Sequence, residues 1–239
     1  PDSTKPGGLP YIRRDGDIDT VTEIAVASDD AAEVRRIVLT NRALQAREIE
    51  LTSYSEIVLA PPDADRAHPA FQNLFVQTEF LEGKAAILAT RRPRSATEAS
   101  IWCAHVVATG PEVVGKITCE TDRAKFVGRG RSVRNAEALD EGAELSGTVG
   151  AVLDPIFSLR VRVRIPPGAS VSIAFTTFVT EQKERAIELA DLYHDPYSAR
   201  RALDLSWAQA QAELRDLGIA QTGSATCRES VWITVVAGP

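Results

Sequence analysis

The sequence predicts a mainly β chain that turns helical near its end. Three observations carry this expectation. Apolar and polar residues alternate at period two through most of the stretch from Tyr11 to Val179. The alternating runs are long and separated by short polar or Pro/Gly turns, the pattern of antiparallel neighbours. From Glu181 the apolar residues recur at three- and four-residue steps, the period of a helix.

The elements follow in order. Residues 1–10 are polar and rich in Pro and Gly, and are expected to be a flexible lead-in. Ile18, Thr20, Thr22, Ile24 and Val26 share one strand face, and Ser28-Asp29-Asp30 is a turn. Val34 to Thr40 is a second strand. Arg47 to Ala60 is a long third strand, with Ile49, Leu51, Ser53, Ser55, Ile57 and Leu59 on one face, stopped by Pro61-Pro62. Asp63 to Asn73 is expected to be a loop. Strands follow at Leu74 to Phe80, Ala85 to Arg91, Ile101 to Ala108 and Val113 to Cys119, divided by Gly83, the Arg92 to Ser100 loop and Gly110-Pro111.

Asn135 to Glu144 reads as a loop or short surface helix, and Asp154-Pro155 as a turn after the Leu145 to Leu153 segment. Ile156 to Ile165 sets Phe157, Leu159, Val161, Val163 and Ile165 against Arg160, Arg162 and Arg164, a half-buried strand with a basic outer face. Val171 to Val179 ends the β region. Ala186, Leu189, Ala190 and Tyr193 lie on one helix face. Asp195 then caps a second helix, with Pro196 at its first position and Leu203, Trp207, Ala210, Leu214 and Leu217 along its apolar stripe before Gly218. The organisation expected is a lead-in over 1–10, a β domain over 11–180, linker helices over 181–218 and an unassigned tail over 219–239.

A length of 239 residues suits one large β domain with an extension. The net charge of −6 argues against nucleic acid as a partner. No apolar run approaches the ~20 residues of a membrane helix, so direct membrane insertion is not expected. The absence of Met, even at position 1, suggests a piece of a longer protein. Cys103, Cys119 and Cys227 are sparse and lack CxxC spacing, which disfavours a disulfide framework or a zinc site and favours a reducing compartment.

One stretch stands out chemically. Glu120-Thr-Asp-Arg-Ala-Lys-Phe-Val-Gly-Arg-Gly-Arg131 packs two acids, four bases and two glycines between apolar segments. It reads either as a solvated, self-neutralising loop or as part of a polar site. Glu120 and Asp122 have the chemistry of a glycosidase acid pair, but Arg123 and Arg129 beside them favour ionised, hydrogen-bonding carboxylates. A second polar cluster, Arg66, His68, Gln72 and Asn73 with Phe71, lies in the Asp63 to Asn73 segment. Planar bidentate groups beside the aromatic faces of Phe71, Phe75 and Phe126 suit a sugar. His105 falls within a strand and is expected to be packed or hydrogen-bonded. His68, His105 and His194 lack metal-ligand spacing. No nucleophile elbow, P-loop or dinucleotide fingerprint is present, and no cofactor is implied.

These residues resemble a known family. Glu120-Thr-Asp-Arg123 with Phe126, Gly128 and Arg131 is similar to a signature of the amino-terminal β-domain of the cellobiose- and chitobiose-phosphorylase family. Further segments are similar to the version in bacterial cyclic β-1,2-glucan synthases. These are Arg14-Asp-Gly-Asp17, Ile49-Glu-Leu-Thr-Ser-Tyr54, Ala67-His-Pro-Ala-Phe71, Asn73-Leu-Phe-Val-Gln-Thr-Glu79, Arg91-Arg-Pro-Arg94, Leu145-Ser-Gly147 and Gly150-Ala-Val-Leu-Asp-Pro155. The resemblance runs from Tyr11 to Ile219.

It implies a two-sheet antiparallel β-sandwich of the mutarotase-like supersandwich type, followed by linker helices. It also implies that the catalytic acid lies in a downstream (α/α)-barrel, so no catalytic residue is expected here. The partners implied are that barrel, a β-glucan or other carbohydrate, and a second copy in a homodimer. The location implied is cytoplasmic, with the parent anchored at the bacterial inner membrane. The rim of the sugar site is expected at Arg66, His68, Phe71, Gln72 and Asn73, and then at Asp122, Arg123 and Arg129, with domain–domain salt bridging as the alternative for both regions and the favoured one for the second. Two alternatives stand beside a site-shaping domain: a structural or dimerisation module without sugar affinity, and a free-standing carbohydrate-binding protein.

Overall fold

A computed structural model describes residues 10–93, 98, 100–216 and 232–237 of the chain. The strands are β1 (Tyr11–Asp15), β2 (Ile18–Val26), β3 (Ala32–Asn41), β4 (Arg47–Glu56), β5 (Val76–Leu81), β6 (Ala86–Arg91), β7 (Trp102–Thr109), β8 (Thr118–Asp122), β9 (Pro155–Ile165), β10 (Ser170–Thr180) and β11 (Trp232–Ala237). The helices are α1 (Pro62–Ala67), α2 (Pro69–Asn73), α3 (Arg123–Val127), α4 (Lys183–His194) and α5 (Pro196–Asp216). Among the described residues, one sheet has the order β1-β2-β3-β10-β7-β6-β5 and the other β11-β4-β9-β8. Every pairing is antiparallel. The expected two-sheet sandwich is therefore the architecture found.

Period-two patterning explains the layers. Inward rows of both sheets (Ile37 and Leu39 of β3, Ile49 and Leu51 of β4, Val107 of β7, Phe157 to Ile165 of β9, Ile173 and Phe175 of β10) form the main core. The opposite face of the large sheet presents Ala32, Val34, Leu88, Val106 and Phe178 to Ala186, Leu189, Ala190 and Tyr193 of α4 and to Ala199 and Ala202 of α5. Small alanines let the helices lie close to the strands, so both helices are docked on the sheet. Asp195 caps α5 as expected, accepting from the Tyr197 amide at 2.9 Å. The outer face of the small sheet, with Tyr54 and Ile156, is covered by Phe126, Val127, Ala136, Ala138 and Leu145.

Several local expectations are corrected. β4 ends at Glu56, and Ile57 and Leu59 are buried after it has left the ladder. The Asp63 to Asn73 loop is two short helices, each opened by a proline at its first turn, where a missing N–H costs nothing. The strand expected over Val113 to Cys119 begins only at Thr118, and Val113 makes an isolated bridge to Val163. Arg160 is not on a basic outer surface. It is 6% exposed, because the 136–145 segment folds over it and offers the Ala138 and Ala143 carbonyls to its guanidinium. Its Nε donates to Thr52 at 2.9 Å. The tail holds a strand, β11, paired with β4 from Trp232↔Tyr54 to Ala237↔Ile49. The 1–9 part of the lead-in, the Leu214 side chain, Leu217, Gly218, Cys227 and the other residues of 219–231 lie outside the described residues. No described helix is long and apolar enough to cross a membrane.

Candidate functional site

The charge-dense stretch folds as the last three residues of β8 followed by α3 and the Gly128–Arg131 segment, and its charges do not neutralise one another. Glu120 is 1% exposed. Its carboxylate accepts from the amides of Thr121 and Asp122, both at 2.9 Å, and from the Ser146 amide at 3.2 Å and hydroxyl at 2.5 Å. Asp122 caps α3, accepting from the Ala124 amide at 2.9 Å. The two acids therefore hold backbone in place and do not form a pair across an open site. Phe126 is 1% exposed and packs on Tyr54 at 5.0 Å, so it is core and not a sugar-facing ring.

The glycines of the stretch have distinct reasons. Gly128 closes α3 at φ +81°, and a Cβ there would collide with Glu137. Gly130, at φ +74°, faces open space and is needed for its backbone conformation alone. Beyond them Arg131 donates to Asp140 at 2.6 and 2.8 Å, while Arg129 is exposed.

Arg123 turns the other way and joins the two candidate regions. Its Nε donates to the Tyr54 hydroxyl at 3.1 Å and to Glu56 at 3.2 Å, and its Nη1 lies 3.6 Å from Asp154. The Asp154 carbonyl accepts from the Arg123 amide at 3.0 Å, and its carboxylate accepts from Asn73 Nδ2 at 3.2 Å. Asn73, at the end of α2, and Arg123, at the start of α3, thus meet through Asp154. The three come from segments 81 and 31 residues apart, which the antiparallel sheet brings to one edge.

The electrostatics follow from half-burial. Burial raises the Asp154 carboxyl above the ordinary carboxylate value, Arg123 pulls it back, and Glu56 and Asp122 raise it again. The Tyr54 phenol is pushed up to about 12 by burial and then by Glu56. Burial lowers the Arg123 guanidinium, but Tyr54, Asp154 and Glu56 outweigh it, and the net direction is up. One cation thus holds the half-exposed carboxylates of Glu56 and Asp154 and the buried phenol of Tyr54. Such a cluster is a fixed array of hydrogen-bond acceptors with one bidentate donor.

The other expected residues distribute unevenly. Phe71 is 52% exposed and meets Phe75 edge-on at 5.2 Å, while Arg91 and Arg92 each lie 5.7 Å from the Phe75 ring centre. Gln72 is 5% exposed and its amide oxygen accepts from Arg91 at 2.9 Å, so it anchors α2 from beneath. His68 is the exposed joint between α1 and α2, at φ −151°. Arg66 is exposed and pairs within α1, with Asp63 at 2.6 Å. The site therefore gathers Asn73, Asp122 and Arg123 around Asp154, whereas exposed Phe71 packs against Phe75. Arg66, His68 and Arg129 lie on exposed ground outside that cluster, and Gln72 is buried against Arg91. Tyr54, Glu56 and Asp154 belong to the cluster and were not expected. The Tyr54-x-Glu56 spacing put both on one strand face, but nothing in the sequence linked them to Asp154.

Comparison with known proteins gives the following likenesses. A family model for the supersandwich domain of glycosyl hydrolase 94 matches residues 6–196. The cyclic beta-(1,2)-glucan synthase NdvB of Rhizobium meliloti is 38% identical over 216 residues, covering 90% of this chain. The chain spans 8% of that relative's length. Among solved structures, a polysaccharide lyase aligns over 80% of this chain and 24% of its own, at 17% identity and TM-score 0.43. A putative aldose 1-epimerase from Klebsiella pneumoniae aligns over 84% of this chain and 54% of its own, at 9% identity and TM-score 0.34.

Proposed function

Because this chain belongs to the glycosyl hydrolase 94 supersandwich-domain family, we propose that it is the non-catalytic β-domain of a cyclic β-1,2-glucan synthase and shapes the rim of that enzyme's glucan site. The observation that supports this reading is the Asn73–Asp154–Arg123 junction, which ties segments carrying the family's motifs into one polar edge, with exposed Phe71 two residues before Asn73 on α2. Bidentate acceptors and donors next to an accessible ring are what a pyranose edge and face require. Chemistry is assigned elsewhere: Glu120 and Asp122 are committed to backbone amides, which leaves no acid–base carboxylate pair in the stretch that first suggested one.

The catalytic unit on this reading is the downstream barrel, and the domain packs on it on the cytoplasmic side of the membrane. The test is kinetic. In the longer enzyme that carries this domain, Asp154→Asn with Arg123→Ala is expected to raise KM for glucan about tenfold, the worth of one charge-assisted hydrogen bond. Unchanged KM and kcat with normal folding would leave a purely structural or dimerising module. Sedimentation of the chain tests the homodimer; a single monomeric species at high concentration counts against it.

A further inference from the structure

The sandwich has a second polar feature, at the opposite face of β4 from Tyr54 and Glu56. Along most of their length the inward rows of both sheets are apolar. Towards one end the same rows change character together. Ile37 gives way to Arg35 and Glu33 on β3, Leu51 to Ser53 and Ser55 on β4, Val107 to His105 on β7, and Phe175 to Thr177 on β10. These side chains, with Phe175 and the mouth residues Val26, Ala31 and Val179, line a cavity of about 380 Å³. That is within the range of small-ligand pockets.

The lining is already organised. The His105 ring lies flat between Phe157 at 5.7 Å and Phe175 at 5.6 Å. One ring nitrogen meets the Thr177 hydroxyl at 2.8 Å and the other the Ser53 hydroxyl at 2.9 Å. Ser53 Oγ also accepts from the Leu159 amide at 3.0 Å. His105 is thus a positioning residue that fixes two hydroxyls, with no nitrogen left over for a metal or for base catalysis. The formal charges cancel, because Arg35 donates to Glu33 at 2.5 Å and burial keeps His105 neutral. A charge-balanced lining of hydroxyls, imidazole and an Arg–Glu pair against an aromatic ring suits a neutral polyhydroxylated ligand with one apolar face, and suits free anions or cations poorly.

We propose that this end of the sandwich is a binding site for a neutral pyranose, separate from the Asn73–Asp154–Arg123 edge. It does not rest on the rim reading, since it is argued from a different face and different residues. At the efficiency typical of non-optimised ligands, a hexose would bind with Kd on the order of 1 mM.

The experiment is amide and imidazole NMR of the 239-residue chain titrated with D-glucose, with inorganic phosphate as the charged control. Saturable shifts are expected at Ser53, His105 and Thr177 with glucose and not with phosphate. Ser55→Leu fills the cavity from a strand position that need not be emptied, and it is expected to abolish those shifts while leaving the melting temperature within a few degrees. Thr177→Val serves as a second, milder variant and should weaken binding several-fold. Three results overturn the proposal. One is no saturable shift up to about 50 mM glucose, far above the expected Kd. Another is shifts that persist in a folded Ser55→Leu protein. The last is shifts confined to Asn73 and Arg123, or produced by phosphate alone.

Discussion

Replacing His105 by Phe should lower stability at neutral pH and flatten its acid dependence. The wild-type ring is 4% exposed and spans the two sheets, from Thr177 of β10 to Ser53 of β4. Burial, and then the Arg35 charge, lower its pKa from 6.5 to about 3. The folded state therefore holds His105 neutral, while the unfolded chain protonates it below pH 6.5. Where the unfolded state binds more protons, stability rises with pH. The His105 contribution is thus complete above about pH 7 and falls as pH drops through the window from 6.5 to 3. Between pH 7 and pH 5 that loss is about 2 kcal/mol. The Phe variant removes the titration but strips two hydrogen bonds, a cost of about 2 kcal/mol at pH 7. Urea unfolding of both proteins at several pH values should therefore give curves well separated at pH 7 that meet near pH 5. Other acids titrate equally in both, so the difference isolates this residue. Parallel curves would refute the claim that His105 is buried neutral.

Other perturbations test other parts of the structure. Arg160→Met leaves the Ala138 and Ala143 carbonyls without their donor and should destabilise by about 3 kcal/mol, with amide exchange quickening first over residues 136–146. Glu120→Gln removes a buried carboxylate that accepts from two amides and Ser146, and a loss of about 2 kcal/mol is expected in thermal unfolding. Asp154→Asn alone should shift stability by less than about 1 kcal/mol, because the ion pair with Arg123 is half exposed. A larger loss by calorimetry would mean that the edge is a structural clasp. The purified chain should release no glucose 1-phosphate from β-linked glucosides and phosphate, and any release would place catalysis in this domain.

The sandwich was legible because its rows repeat. Five alternating apolar residues on β9, and the matching rows of β2, β3 and β10, specify which face is buried without knowledge of the partner. Elements that depend on partners were not legible. Helices of five and six residues such as α1 and α2 are too short to show a helical period, and their prolines read equally as loop signals. The burial of Arg160 depends on the 136–145 segment, which has no periodicity of its own. For β11, the run Ile233-Thr-Val-Val236 carries strand propensity, but it stands without neighbouring pattern. The site was half visible. Phe71, Asn73, Asp122 and Arg123 are chemically conspicuous in sequence, whereas Glu56 and Asp154 gain their meaning only when Arg123 reaches both. In the same stretch, the arginines beside Glu120 and Asp122 already favoured ionised, hydrogen-bonding carboxylates over a catalytic pair, and the fold uses both to secure backbone.

The most direct test of the rim reading is a titration of the chain with β-1,2-gluco-oligosaccharides, followed by chemical-shift changes of Phe71, Asn73 and Arg123. The account predicts weak, saturable shifts centred on those residues, with Kd in the millimolar range expected of an isolated rim. Oligosaccharide at many times that concentration leaving the three residues unmoved in a folded chain, or micromolar binding centred elsewhere, would contradict it.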